Sequence, residues 1–290
     1  MSETENARTT ANGASTRPLG VVDVDWNLVV PEVDIHLVGY GDRLPNDFTL
    51  EMLAVLQRCT RVFGAPPIHA PDFKVPAMEN LLELYSPARH RDESHEEMAE
   101  VVLAAAAADP PVALATYGSP MVGTYVAHRV VELAPQRDLT VHVTNAVPSF
   151  DGIWADFNID PFFGFEIWDA TTFVRLGVVP STRAHLLLSQ APMLDVTAGI
   201  DLDPPQLGKS PSASVLRDHL LRFYAPEHEV HFVTTEAGTG PHLLAAGIET
   251  IALRDLDDLG RRQLGTLLVQ RGERLPFDFE RSAPAGAAAD

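Results

Sequence analysis

Along this chain, short apolar runs alternate with stretches in which apolar residues recur at helical spacing. Asp34–Gly41 (DIHLVGYG) is an apolar run closed by glycine, the pattern of a buried strand entering a tight loop. Thr49 then stands before Leu50, Leu53, Leu56 and Val62, with Glu51 in the first turn, which predicts a capped helix. Arg61–Gly64 reads as a second strand, the proline-rich residues 65–77 exclude long regular structure, and Met78–Tyr85 reads as a short helix or strand. A helix is predicted over Ser94–Ala108, stopped by Asp109-Pro110-Pro111; a strand over Val112–Thr116; a helix over Val122–Leu133; and a strand over Thr140–Thr144. Such alternation indicates helices packed on a largely parallel sheet.

Beyond residue 144 the pattern changes. Asn145–Phe173 is rich in Asp and aromatics and carries a predicted helix at Ser149–Phe157. Short strands follow at His185–Gln190, Glu229–Thr234, Glu249–Ala252 and Thr266–Gln270, with helices at Val215–Tyr224 and Leu256–Leu264. This half reads as α+β with a mixed sheet. The expected organisation is a disordered lead (1–20), an N-terminal α/β domain (21–144), a C-terminal α+β domain (145–281) and a disordered tail (282–290), since both ends are small, polar and aperiodic.

Charge removes several function classes. Against 40 acidic residues stand 21 Lys+Arg, a formal charge of −19, so a phosphate-binding face is not expected and nucleic acid is excluded as a partner. An anionic membrane surface is disfavoured for the same reason. A single cysteine, Cys59, rules out an internal disulfide framework and a cysteine-based zinc site. With no signal-peptide core and no apolar run long enough to span a bilayer, a cytoplasmic location is the default.

Two loops carry candidate chemistry. Gly39-Tyr40-Gly41-Asp42 and Tyr117-Gly118-Ser119-Pro120-Met121-Val122-Gly123 both follow predicted strands, at the edge where open α/β sheets bind ligands. Neither is a full G-x-G-x-x-G fingerprint, and the chain has no P-loop lysine, H-E-x-x-H or G-x-S-x-G. Most histidines lie in apolar contexts and read as structural. His90 and His95 differ, standing in the charged stretch Arg89–Glu97, which reads as a solvated helix entrance. Tyr85 stands before it and Arg91 within it, a pair able to polarise or deprotonate an amide-like group.

Taken together, these features resemble the tetrapyrrole methylase superfamily of S-adenosylmethionine-dependent methyltransferases, and within it the borosin peptide backbone α-N-methyltransferases. HLVGYGDRLPNDFTLEML is similar to the superfamily's first strand, glycine loop and helix. The borosin resemblance rests on LYSPARHRDESHEEM (84–98), YGSP with MVG (117–123), WADFNIDP (154–161), WDATTF (168–173) and HLLLSQ (185–190), in family order, with FYAPEHEVHFV (223–233) fitting a later passage. It implies two successive α/β domains of the tetrapyrrole methylase type with S-adenosylmethionine in the cleft between them. By motif position it implies catalytic roles for Tyr85, Arg91 and His95: Tyr85 as a phenolate deprotonating the amide, Arg91 lowering the tyrosine pKa and holding the amide oxygen, His95 orienting the amide or acting as base. It assigns the cofactor to Gly39, Gly41, Tyr117, Ser119, Val122, Gly123, Ser149 and Gln190, with the adenine around Gln190–Met193, and needs no metal. His95 stands where the family has tyrosine, Ser119 where it has histidine, and Asn145-Ala146-Val147-Pro148-Ser149-Phe150 lacks the family's Pro-Gly start. Fungal members carry their substrate as a C-terminal extension. This chain ends soon after the last family strand, so the expectation is a precursor peptide supplied in trans, and the superfamily resemblance implies a homodimer. The alternatives are a tetrapyrrole C-methyltransferase and a non-catalytic binding protein of the same fold.

Overall fold

The computed structural model describes residues 28–86, 88–191, 194, 211–234, 247–259 and 265–272. The lead, the tail and Met193 lie outside them, as do residues 260–264 of the last predicted helix. None of the described helices is long and apolar enough to cross a membrane.

The first sheet has the order β3-β2-β4-β1-β5, all parallel. Its strands are β1 (Ile35–Gly39), β2 (Arg61–Ala65), β3 (Glu79–Asn80), β4 (Val112–Thr116) and β5 (Val141–Val143). Both β1 and β4 are buried along their whole length, as expected for central parallel strands covered on both faces. The pleat divides them: Ile35, Leu37, Val112 and Leu114 face a core shared with α2 (Arg91–Ala108) and α3 (Tyr125–Leu133). Val38, Tyr40, Ala113 and Ala115 face α1 (Leu50–Leu56) on the other side. Thr49 caps α1 by accepting from the Met52 amide at 3.0 Å.

The second sheet has the order β6-β7-β10-β8-β9. It contains β6 (Phe165–Asp169), β7 (His185–Ser189), β8 (Glu229–Thr234), β9 (Gly247–Ala252) and β10 (Thr266–Val269). Only β6 and β7 run parallel; the other neighbours are antiparallel. One face, with Leu186, Leu188, Phe232 and Leu267, packs on α5 (Ala170–Arg175) and α6 (Pro211–Leu220). The opposite face, with Leu187, Val233 and Leu268, takes Ile153 of α4 (Ser149–Phe157). The helix that follows the first sheet is thus part of the second sheet's core.

Element types match the pattern closely, and the differences have local causes. α2 starts at Arg91 rather than Ser94 because the His90 ring accepts from the Asp92 amide and caps the turn, with Asp92 and Glu93 at the positive helix end. α3 starts at Tyr125 rather than Val122, since Pro120 and the left-handed Gly123 (φ +66°) keep that segment a loop. β6 and α5 do not stand out in the sequence because no residue of β6 is buried and its apolar residues are interrupted by Glu166 and Asp169. Met78–Tyr85 resolves into β3 and a 3-10 turn (Leu81–Leu84), and Leu253–Leu259 is a 3-10 helix rather than an α-helix.

His185, at the start of β7, is buried and its Nδ1 has no hydrogen-bond partner among the described residues. Burial first, then the charge of Arg271, pushes its pKa down to about 4. The unfolded chain therefore binds this proton more readily, and stability falls as pH drops from about 6.5 towards 4, by about 3 kcal/mol at pH 4. Urea unfolding of the wild type and His185→Leu at pH 7 and pH 4 should show a steeper loss in the wild type by that amount. Equal losses would show that His185 titrates normally.

Candidate functional site

The parallel strands of the first sheet all end on one edge, and the loops leaving β1, β4 and β5 meet there. Gly41 and Gly118 form an antiparallel bridge: the Gly41 amide donates to the Gly118 carbonyl at 3.3 Å and the Gly118 amide to the Gly41 carbonyl at 3.0 Å. Both glycines have left-handed backbone (φ +70° and +58°), which other residues adopt only with strain. Gly39 is needed for space instead. A Cβ there would sit 2.2 Å from the Gly118 carbonyl oxygen, 2.5 Å from the Ala146 Cβ and 2.9 Å from the Pro120 Cδ. The loop bearing Ser149 is thereby brought against the other two.

Below the bridge, Asp47 closes the first loop on itself. Its carboxylate accepts from the amides of Asp42 and Arg43 and from the Arg43 guanidinium. Asp42 is buried at the junction, and a Cβ on Gly118 would lie 3.6 Å from its Oδ1. The rim beyond is open: Gly123 has nothing within 4 Å of a built Cβ, and Tyr117, Met121 and Val122 are exposed. A buried carboxylate, exposed apolar and aromatic side chains, and an open glycine turn suit a ligand that joins a cation to an aromatic base. Tyr117, Ser119, Val122 and Gly123 line this rim. Gly39 and Gly41 serve it through the chain path they permit rather than through open space of their own. Gln190 stands at the end of β7 in left-handed conformation (φ +54°). Asp42 was not singled out among the site residues, although an acidic residue directly after a strand-end glycine was the available signal.

The second part of the site lies on α2 and the turn before it. Tyr85 ends the Leu81–Leu84 turn, Arg91 opens α2, and His95 follows one helical turn later on the same face. The structure brings Tyr85 and His95 together: Tyr85 Oη and His95 Nε2 are 2.7 Å apart, with the rings edge-to-face at 5.6 Å. Arg89 is occupied elsewhere, donating to Glu97 and to the Leu84 carbonyl, both at 2.7 Å, so it staples the turn to the helix. Among the described residues no carboxylate pairs with Arg91, whose charge reaches both Tyr85 and His95.

These surroundings correct the expectation of a phenolate. Arg91 does pull the Tyr85 pKa down, but burial acts more strongly and the neighbouring Tyr117 adds to it, so the phenol is pushed up to about 12. His95 moves the other way: burial, then the Arg91 charge, holds it below the usual imidazole range, with Asp92 and Glu96 opposing. At neutral pH the pair is a protonated tyrosine hydrogen-bonded to a neutral histidine.

Two of the motifs shape the fold rather than the chemistry. In WDATTF, Asp169 caps α5 by accepting from the Thr172 amide at 2.8 Å and hydroxyl at 2.9 Å. In WADFNIDP, Asn158 ends α4 in left-handed conformation, and Asp160 accepts from the Phe162 amide at 3.0 Å.

Comparison with known proteins places this geometry in context. The family model for Tetrapyrrole (Corrin/Porphyrin) Methylases matches residues 34–240. A methyltransferase/ribosomally synthesized type III borosin cyclic peptide precursor of Anomoporia bombycina is 26% identical over 203 residues, 67% of this chain and 23% of that protein. A methyltransferase/dendrothelin A precursor of Dendrothele bispora is 25% identical over 218 residues, 71% of this chain and 49% of that protein. The chain thus spans between about a quarter and half the length of these relatives. Among solved structures, uroporphyrin-III C-methyltransferase from Thermus thermophilus complexed with S-adenosyl homocysteine covers 81% of this chain and 91% of its own, with a TM-score of 0.54 at 17% identity. The methyltransferase CobJ covers 83% of this chain and 96% of its own, with a TM-score of 0.54 at 15% identity. At these identities the structures establish the fold.

The packing around Gly39 yields a test. Gly39→Ala should lower stability by about 3 kcal/mol or more in chemical denaturation, because the new methyl meets backbone and ring atoms that cannot move singly. Gly152→Ala, in α4 with nothing within 4 Å of its Cβ, should instead gain about 0.5–1 kcal/mol. Equal effects at the two positions would refute the close-approach reading.

Proposed function

The chain belongs to the tetrapyrrole (corrin/porphyrin) methylase family, and from that premise we propose that it transfers a methyl group from S-adenosylmethionine to backbone amide nitrogens of a peptide. Methyl transfer from S-adenosylmethionine follows from the family and from the structural neighbour solved with S-adenosyl homocysteine. The peptide substrate rests on relatives whose names join a methyltransferase and a ribosomally synthesized cyclic peptide precursor. The observation that carries the reading is the Tyr85–His95 hydrogen bond beside an Arg91 with no carboxylate partner among the described residues.

An amide nitrogen is a poor nucleophile because its lone pair is shared with the carbonyl. S-adenosylmethionine, when bound, would supply the methyl group from its sulfonium, so one proton must leave the nitrogen for each methyl added. Tyr85 Oη takes that proton and passes its own to His95 Nε2. The base is then effectively the imidazole, which burial holds below its usual range, rather than a phenol held near 12. Arg91 holds the amide oxygen as negative charge builds on it. Tyr117, Ser119, Val122, Gly123, Ser149 and Gln190 would hold the cofactor.

A polycarboxylate tetrapyrrole fits less well. It needs several unpaired cations, and Arg89, the other arginine of this turn, is already paired with Glu97. The family resemblance also carries a homodimer into this reading, which sedimentation of the purified protein tests.

Purified protein, labelled S-adenosylmethionine and a separate peptide with an apolar core should give products heavier by whole methyl groups. Tyr85→Phe and Arg91→Ala should each slow single-turnover methylation by about a hundredfold or more. Full rates in both would remove these residues from the mechanism, and methylation of uroporphyrinogen but no peptide would select the tetrapyrrole reading. The wild-type rate should be level from about pH 7 to 9 and fall on acidification as His95 protonates. A rate that climbs steadily to pH 10 would indicate a phenolate base instead.

A further inference from the structure

The His95 ring is held on two sides. Its Nε2 meets Tyr85, while Tyr125, the first residue of α3, stacks on its face with ring centroids 5.3 Å apart and planes 28° from parallel. Tyr125 is itself fixed, its hydroxyl donating to Glu96 Oε1 at 2.9 Å. Glu96 in turn accepts from the Arg129 guanidinium, at 2.8 Å to Oε1 and 3.0 Å to Oε2, and Arg129 also binds Glu132 at 2.6 Å. A chain of contacts thus runs from α3 back to the residue beside His95 on α2.

We propose that Tyr125 and Glu96 are positioning residues for His95: Tyr125 backs the imidazole so that Nε2 stays on Tyr85 Oη, and the Glu96 carboxylate balances the charge that His95 gains when it takes a proton. This deepens the mechanism proposed above and rests on it. The need for a balancing charge comes from the neighbours. Arg91 and His90 oppose a cation at His95, whereas Asp92 and Glu96 favour one. Tyr85 and Tyr125, the groups facing the ring from other segments, are neutral near pH 7, and Arg129 reaches the ring only through Glu96. Glu96 also responds to His95, which helps to keep its carboxyl ionised behind the larger effect of Arg129. The aromatic face of Tyr125 adds a second stabilising contact for a protonated ring. Of these groups, Glu96 alone combines a carboxylate with a tether to the stacking tyrosine.

The proton path balances within this set. The hydrogen leaving the substrate nitrogen appears on Tyr85 Oη as the phenolic hydrogen appears on His95 Nε2, and solvent removes it after turnover.

The test uses the full chain and reads His95 directly by imidazole NMR titration, alongside methylation kinetics with the apolar-core peptide. Tyr125→Phe keeps the stacking ring and should stay within about threefold of wild-type kcat. Tyr125→Leu should lose about tenfold or more in kcat with little change in KM. Glu96→Gln keeps an acceptor for the Tyr125 hydroxyl but loses the charge. It should lower the His95 midpoint by about half a pH unit and move the acidic limb of the rate profile with it. The proposal is overturned if Tyr125→Leu matches the wild type, if Tyr125→Phe is as slow as Tyr125→Leu, or if Glu96→Gln leaves the His95 midpoint unmoved. Should the wild type methylate no peptide at all, the function reading falls while the titration still decides whether Glu96 tunes His95.

Discussion

Three loops reach one point because Gly39 and Gly41 put no Cβ in the way and Gly41 and Gly118 take left-handed backbone. The Gly41–Gly118 bridge joins the exits of β1 and β4, and the missing Cβ of Gly39 lets the Gly118 carbonyl and Ala146 close over β1. Everything downstream inherits this closure. It fixes where the chain leaves the first sheet, and therefore where α4 begins its packing on the second. It also turns the segment 119–123 outward, leaving Tyr117 and Val122 exposed on a rim backed by buried Asp42.

Burial and charge compete at the other half of the site, and their relative size decides the chemistry. A lone arginine close to a tyrosine invites the conclusion that the tyrosine ionises, because opposite charge lowers a pKa. Here the phenol is enclosed enough for desolvation to outweigh that attraction. The same enclosure keeps His95 neutral. Low polarity thus pushes an acid up and a base down, and the two groups end in complementary states across one 2.7 Å hydrogen bond. In the proposed mechanism, histidine at this position gives the tyrosine an acceptor that a second phenol would provide less well.

Most of the fold could be read from the chain because the central strands are largely apolar and buried, and the longest helix, α2, is stopped by Asp109-Pro110-Pro111. β1 and β4 admit no other assignment once their helical neighbours are recognised. β6 hid because a half-exposed strand carries too few apolar residues to stand out from a loop. The candidate site residues were legible in kind, as Tyr85, Arg91 and His95 fall within ten residues of one another on a turn and one helix face. The contact from Tyr125 was not legible, since it joins positions brought together only by the packing of α2 on α3. Nor could spacing show that Arg89 is consumed by Glu97 while Arg91, two residues on, is left for other work.

That last distinction changes what the charge of −19 means. A strongly acidic chain repels anionic ligands at long range, but within a Debye length of about 8 Å the local arrangement governs. Around the dyad the arginines are divided by role: Arg89 and Arg129 are neutralised by glutamates and hold structure, and Arg91 faces the tyrosine and histidine. A single cation with no partner among the described residues suits one developing negative charge on one amide oxygen. It suits a substrate bearing many carboxylates much less, because each further carboxylate would meet either a paired arginine or an acidic surface. In the proposed mechanism the positive charges left unspent at the site, more than the overall charge, set which class of substrate fits.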